Sequence, residues 1–173
     1  MREELLRIRG FLAMAAAIAA LLVVAVAGCG ESDSTGSVTV GKITIQTGSL
    51  SKGDFVEKAN EICRATRKKF DADYQKLIVA SESGKQKSQA ALAKELIEKD
   101  TVPDFEDEIR QISELGAPED YAKEVGAYLN ALKERLAEGQ KDPYGLVASA
   151  DAFGKATALA KKAGLNGCAE SLN

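Results

Sequence analysis

Apolar side chains recur at a helical period between residues 55 and 78. Phe55, Ala59, Ile62, Cys63, Phe70, Tyr74, Leu77 and Ile78 fall along one stripe of a helix with 3.6 residues per turn. A stripe that long commits this stretch to an amphipathic helix, and such a helix needs others to cover its apolar face. Its start is marked locally. Ser51 can cap, Asp54 stands at the third helical position, and Leu50 and Phe55 are spaced to staple across the cap. The end is expected near Ala80, before the polar residues 81–84.

A second helical region is expected from Lys85 or Gln86, with Leu92, Leu96 and Ile97 inside. Pro103 lacks an amide donor and crowds the preceding turn, so it should break or kink the run. The helix resumes through Phe105, Ile109, Ile112 and Leu115 and closes at Gly116-Ala117-Pro118. The next carries Tyr121, Val125, Tyr128, Leu129, Leu132 and Leu136, with Gly139 as its stop. Asp142-Pro143 is a cap followed by a first-turn proline, and it opens a fourth helix bearing Leu146, Ala150, Phe153, Thr157 and Ala160. Lys161 and Lys162 suit the negative end of that helix, and Gly164 suits the left-handed closing position. Short connections favour antiparallel neighbours. The expected fold is all-α, an up-down-up-down four-helix bundle with a kinked or broken second helix.

The first 28 residues read differently. A short head with Arg2, Arg7 and Arg9 precedes the uncharged apolar run 11–27, and Gly28 and Cys29 follow. Basic head, apolar centre and small residues at the end are the layout of a secretory signal. Val26-Ala27-Gly28-Cys29 resembles the lipobox of bacterial lipoproteins. That resemblance implies cleavage before Cys29, diacylation of its thiol, and a cell-membrane anchor on the extracytoplasmic face. An uncleaved anchor helix and an ordinary secreted product are the alternatives. The expected organisation is a signal peptide over 1–28, lipidated cysteine and tether over 29–49, and a helical domain over 50–173. Within the tether, residues 30–37 are polar and rich in Gly and Ser. Residues 38–45 alternate Val and Ile with Thr around Gly41-Lys42, where Gly suits a type II′ turn. A short β-hairpin docked on the body, a plain linker and a partner-binding strand all fit this pattern.

With Cys29 taken by lipid, Cys63 and Cys168 are left as a pair, and export favours a disulfide between them. In a closed bundle the first and last helices are neighbours, which makes the pairing reasonable. A reactive thiol is the competing reading, with no C-x-x-C and no His to support it. Four stretches carry a further resemblance: Leu50-Ser51-Lys52-Gly53-Asp54-Phe55, Ala59-Asn60-Glu61-Ile62-Cys63, Leu115-Gly116-Ala117-Pro118 and Ala163-Gly164-Leu165-Asn166-Gly167-Cys168. Together they resemble a group of small helical lipoproteins and secreted proteins of high-GC Gram-positive bacteria, the actinobacteria. The resemblance implies an all-helical body tied by the two cysteines. It carries over no substrate and no catalytic residue.

Composition narrows the chemistry. There is no His, so Ser-His-Asp and Cys-His arrangements and most zinc chemistry are missing. Both Met residues, Met1 and Met14, precede Cys29, which leaves no ordinary axial ligand for haem. Phosphate-loop and dinucleotide motifs are missing too, and no cofactor or metal is expected. A net charge of −3 argues against nucleic acid as a partner. Asp104, Glu106, Asp107 and Glu108 form an acidic run that reads as a solvated helix start, with a cation site or a catalytic pair as minority readings. Arg64, Arg67, Lys68 and Lys69 form a basic patch, in which Arg64 and Lys68 are one turn apart and offer a speculative anion site. Tyr74, Tyr121, Tyr128 and Tyr144 either line a cavity or fill the core with wet hydroxyl tips. The function expected is non-catalytic: a membrane-anchored interaction or binding module. Its partners are membrane lipid through acylated Cys29 and an envelope protein, glycan or small ligand. A small-ligand carrier or sensor and a carboxylate- or metal-dependent enzyme are the alternatives.

Overall fold

The computed structural model describes residues 36–82 and 88–173. The expected signal peptide, Cys29 and the tether up to residue 35 lie outside the described residues, as does the expected start of the second helical region at 85 or 86. The fold is all-α with a short antiparallel hairpin in front. Strand β1 (Ser37–Val40) pairs with β2 (Ile43–Gln46), Val40 opposite Ile43, across a two-residue turn. Gly41 takes φ +60° while Lys42 does not turn positive, which fits the expected II′ geometry. The hairpin docks on the helical body. The Lys42 amide donates to Asn130 Oδ1 at 2.9 Å. Ile43 and Ile45 are buried, and Thr47 forms an isolated parallel bridge with Ala117.

Helix α1 (Lys52–Glu82) starts as its sequence predicts. Ser51 Oγ accepts from the Asp54 amide at 3.1 Å and donates to Asp54 Oδ2 at 2.6 Å. Its first half is well covered, with Phe55, Ala59 and Cys63 fully buried, whereas Phe70 is half-buried and Tyr74 exposed. Helix α2 (Gln89–Leu96) is capped by Ser88 and runs through a π turn (Ile97–Thr101) into α3 (Val102–Glu114). This is the expected break, and its form follows from Pro103 near the start of α3. A proline ring displaces the carbonyl four residues back. Widening the turn makes room, and the Val102 amide donates to the Ile97 carbonyl five residues behind it.

Helix α4 (Glu119–Lys141) is the central element, lying against the hairpin and α3. At Gly126 the hairpin comes so near that an added Cβ would stand 2.7 Å from Val40 Cγ2. Gly139 does not stop this helix. It is buried inside α4, where an added Cβ would strike Leu146 of the next element, so it serves packing rather than termination.

The fourth helical region departs from a plain bundle. Helix α5 (Pro143–Ala148) is capped by Asp142, whose Oδ1 accepts from the Gly145 amide at 2.9 Å. The chain then leaves the helix, and α6 (Gly154–Lys162) and α7 (Asn166–Ser171) follow as separate short helices. Ser149, Asp151 and Gly154 are weak helix residues, and Arg135 of α4 donates from Nε to the Ala152 carbonyl at 2.5 Å. Ala150, expected inside, is therefore exposed. Gly164 closes α6 with φ +77°. Helix α7 lies against α1, and Cys63 and Cys168 are joined there by a disulfide, their Cα atoms 4.9 Å apart.

Candidate ligand cleft

The broken fourth region opens a cleft of about 320 Å³ against the second half of α1. Its walls are α1, the π turn, the start of α3, α5 with the 149–153 loop, and residues 171–173. Aromatic side chains make much of the surface. Phe70 and Tyr74 stack one turn apart on α1, centroids 6.1 Å apart, and Phe105 of α3 packs on Phe153 of the loop at 5.6 Å. Both pairs line the cleft. Apolar and aromatic side chains share the lining with Arg67, Asp71, Ser149, Asp151 and Asn173, and the size is that of a small-molecule site.

The polar groups differ in how far they are already engaged. Arg67 Nε pairs with Asp71 at 2.8 Å, and its Nη1 donates to the main-chain oxygens of Ser171 and Asn173 at 3.1 and 2.8 Å. Its guanidinium also lies 5.9 Å from the Phe70 ring. Arg67 is thus a clamp between α1 and α7 rather than a vacant cation. Thr101, in the π turn, is 2% exposed, and its hydroxyl has no hydrogen-bond partner among the described residues.

The residues singled out by sequence divide. Arg64 and Lys68 are exposed on α1 and line no part of this cleft; Lys69 pairs with Asp104 at 3.6 Å. The four tyrosines do not converge. Tyr74 and Tyr144 are exposed, while Tyr121 and Tyr128 are buried in the core. Tyr121 donates to the Ala163 carbonyl, and burial pushes its hydroxyl up to about 12.

The acidic run also separates, and one member was misread. Glu106 is exposed, and Asp107 is held below the usual carboxylate range by Arg110 and Gln111. Glu108 is not part of a solvated helix start. It is fully buried, accepts from the Tyr128 hydroxyl at 2.9 Å, and lies 3.5 Å from Cys63 Sγ. That sulfur belongs to the disulfide and has no proton to give. Burial lifts the Glu108 carboxyl to about 7, against the pull of the Tyr128 and Thr66 hydroxyls. Its place was visible in the spacing: Phe105, Glu108, Ile109 and Ile112 share one face of α3. The cleft was not visible, since it depends on where the chain leaves the helix after α5.

Among the described residues there is no cluster of three or more His, Cys, Asp or Glu placed to hold a metal ion, and no helix long and apolar enough to cross a membrane. No family model, curated protein or solved structure matches the chain.

Proposed function

We propose that this chain is a non-catalytic, lipid-anchored, extracytoplasmic binding module. Anchoring through acylated Cys29 is supported by the basic head, the apolar run and the small residues before that cysteine. A disulfide between Cys63 and Cys168 suits an oxidising compartment. We read α5, α6 and α7 as a fourth helix in pieces, its gap being what leaves the cleft open. The observation that carries the reading is that cleft of about 320 Å³, walled by two aromatic pairs. The enzyme reading has less to rest on, because Glu108, whose carboxyl is raised to about 7, is sealed in the core.

The test is to purify the protein from the envelope of its native host, extract it with organic solvent and examine both fractions by mass spectrometry. A diacylated Cys29 at the amino terminus is expected. A small molecule recovered with the wild type and depleted in Ala152→Phe, which adds a ring to a cleft-lining position, is expected too. An intact, unacylated Met1 would overturn the anchoring. Equal recovery of every small molecule from both proteins would overturn the binding site.

A further inference from the structure

We propose that the Cys63–Cys168 bond is a redox switch coupled to one proton: opening it makes Cys63 a hydrogen-bond donor to Glu108, so reduction expels the Glu108 proton and is favoured as pH rises. This goes beyond the binding reading and does not depend on the cleft. Each sulfur of the bond stands against an oxygen that can accept. Cys63 Sγ lies 3.5 Å from Glu108 Oε1 and 3.8 Å from the Tyr128 hydroxyl, and Cys168 Sγ lies 3.6 Å from the Ala59 carbonyl. A thiol can donate across such distances, whereas a disulfide sulfur has no proton to give. In the reduced protein Cys168 therefore has the Ala59 carbonyl and Cys63 has the Glu108 carboxylate. Both new S–H groups find a partner without leaving the core.

The coupling follows from what surrounds Glu108. Helix α4 brings Tyr128, and α1 brings Cys63 and Thr66, whose hydroxyl donates to the Ile62 carbonyl at 3.3 Å. No charged side chain among the described residues bears on the carboxyl, and its Oε2 has no hydrogen-bond partner there. A buried carboxylate so short of donors keeps its proton, and one added donor favours the charged form. The reductant is a dithiol. Its two S–H bonds break and its own S–S bond forms, while the Cys63–Cys168 bond breaks and two S–H bonds form. The Glu108 proton leaves to solvent. Both cysteines are fully buried, so α7 has to lift for the dithiol to attack, but the equilibrium is independent of that route.

The test uses the full-length processed protein in detergent micelles, with the Glu108 carboxyl carbon followed by nuclear magnetic resonance across the pH range. Cys168→Ala keeps the Cys63 thiol, Cys63→Ala removes it, and neither variant can form the bond. In Cys168→Ala, Glu108 should ionise about one pH unit below the oxidised wild type, as a hydrogen bond to a charged group would bring. In Cys63→Ala it should ionise no lower than in the wild type. Equilibration with dithiothreitol reads the same coupling from the other side. At a fixed ratio of reduced to oxidised dithiothreitol, the ratio of reduced to oxidised protein should rise about tenfold from pH 5 to 8. Glu108→Gln, which shares any ionisation of the reductant itself, should lose that rise. Equal ionisation of Glu108 in the two cysteine variants would overturn the thiol–carboxylate contact. A flat wild-type ratio, or a rise that survives Glu108→Gln, would overturn the proton coupling. Dispersed amide spectra check that each form stays folded. Loss of that dispersion in the reduced wild type would overturn the switch, because the proton would then be lost to unfolding.

Discussion

Glu108 ties the stability of the core to pH. In the unfolded chain its carboxyl ionises near 4.5, and in the folded protein near 7. Between those values the unfolded state gives up the proton first. Folding therefore loses stability as pH rises through this window, and the loss levels off above about 7. The difference is on the order of 3 kcal/mol, set by burial. Glu108→Gln should flatten the slope, measured as urea midpoints from pH 5 to 8; an undiminished slope would assign the effect to another group. Tyr128→Phe should act the other way. It removes the hydroxyl that favours the carboxylate, so the decline should extend to higher pH. At this scale the sequence is readable where a residue's partner is a few positions away. Ser51, Gly41, Asp142 and Gly164 all do what their neighbours demand. Glu108 was hidden by three acidic neighbours, although it alone falls in phase with the apolar stripe.

The elements are where local and tertiary signals compete. The hairpin reads clearly from alternation, but whether it docks is decided by a partner 88 positions away, Asn130. Gly126 records the outcome, since it is the gap on α4 into which Val40 fits. Gly126→Ala should gain about 1 kcal/mol in helix propensity yet lose about 1–3 kcal/mol to overpacking, for a net destabilisation in chemical denaturation. Adding Val40→Ala should restore most of the loss. A single variant more stable than the wild type would show that the hairpin does not press on α4. The second helix broke where Pro103 predicted, because that clash is local. The chain after α5 leaves the helix without such a signal. Its interruption at 149–153 is settled by Arg135 on α4 and by the packing of Phe153 on Phe105. Gly139 misled for the same reason: seen alone it is a stop, and beside Leu146 it is a contact.

Across the molecule, the disulfide joins positions 105 residues apart and fixes α7 to α1 in a core that also buries Glu108 and Tyr128. Constraining a loop of that length is worth about 4–5 kcal/mol in chain entropy. That is a large share of the about 5–15 kcal/mol by which domains are stable. The double variant Cys63→Ala, Cys168→Ala should unfold at a correspondingly lower denaturant midpoint, and an unmoved midpoint would show the bond to be dispensable. The span of this link has a consequence for biosynthesis. At about 5–20 residues per second, the ribosome reaches Cys168 roughly 5–20 s after Cys63. Throughout that interval Cys63 lacks the partner it takes in the fold, while Cys29 already precedes it in the chain. The newborn polypeptide is then open to mispairing with other nascent thiols, and an oxidase meeting it early would have to be reversed by an isomerase before the proper link could form.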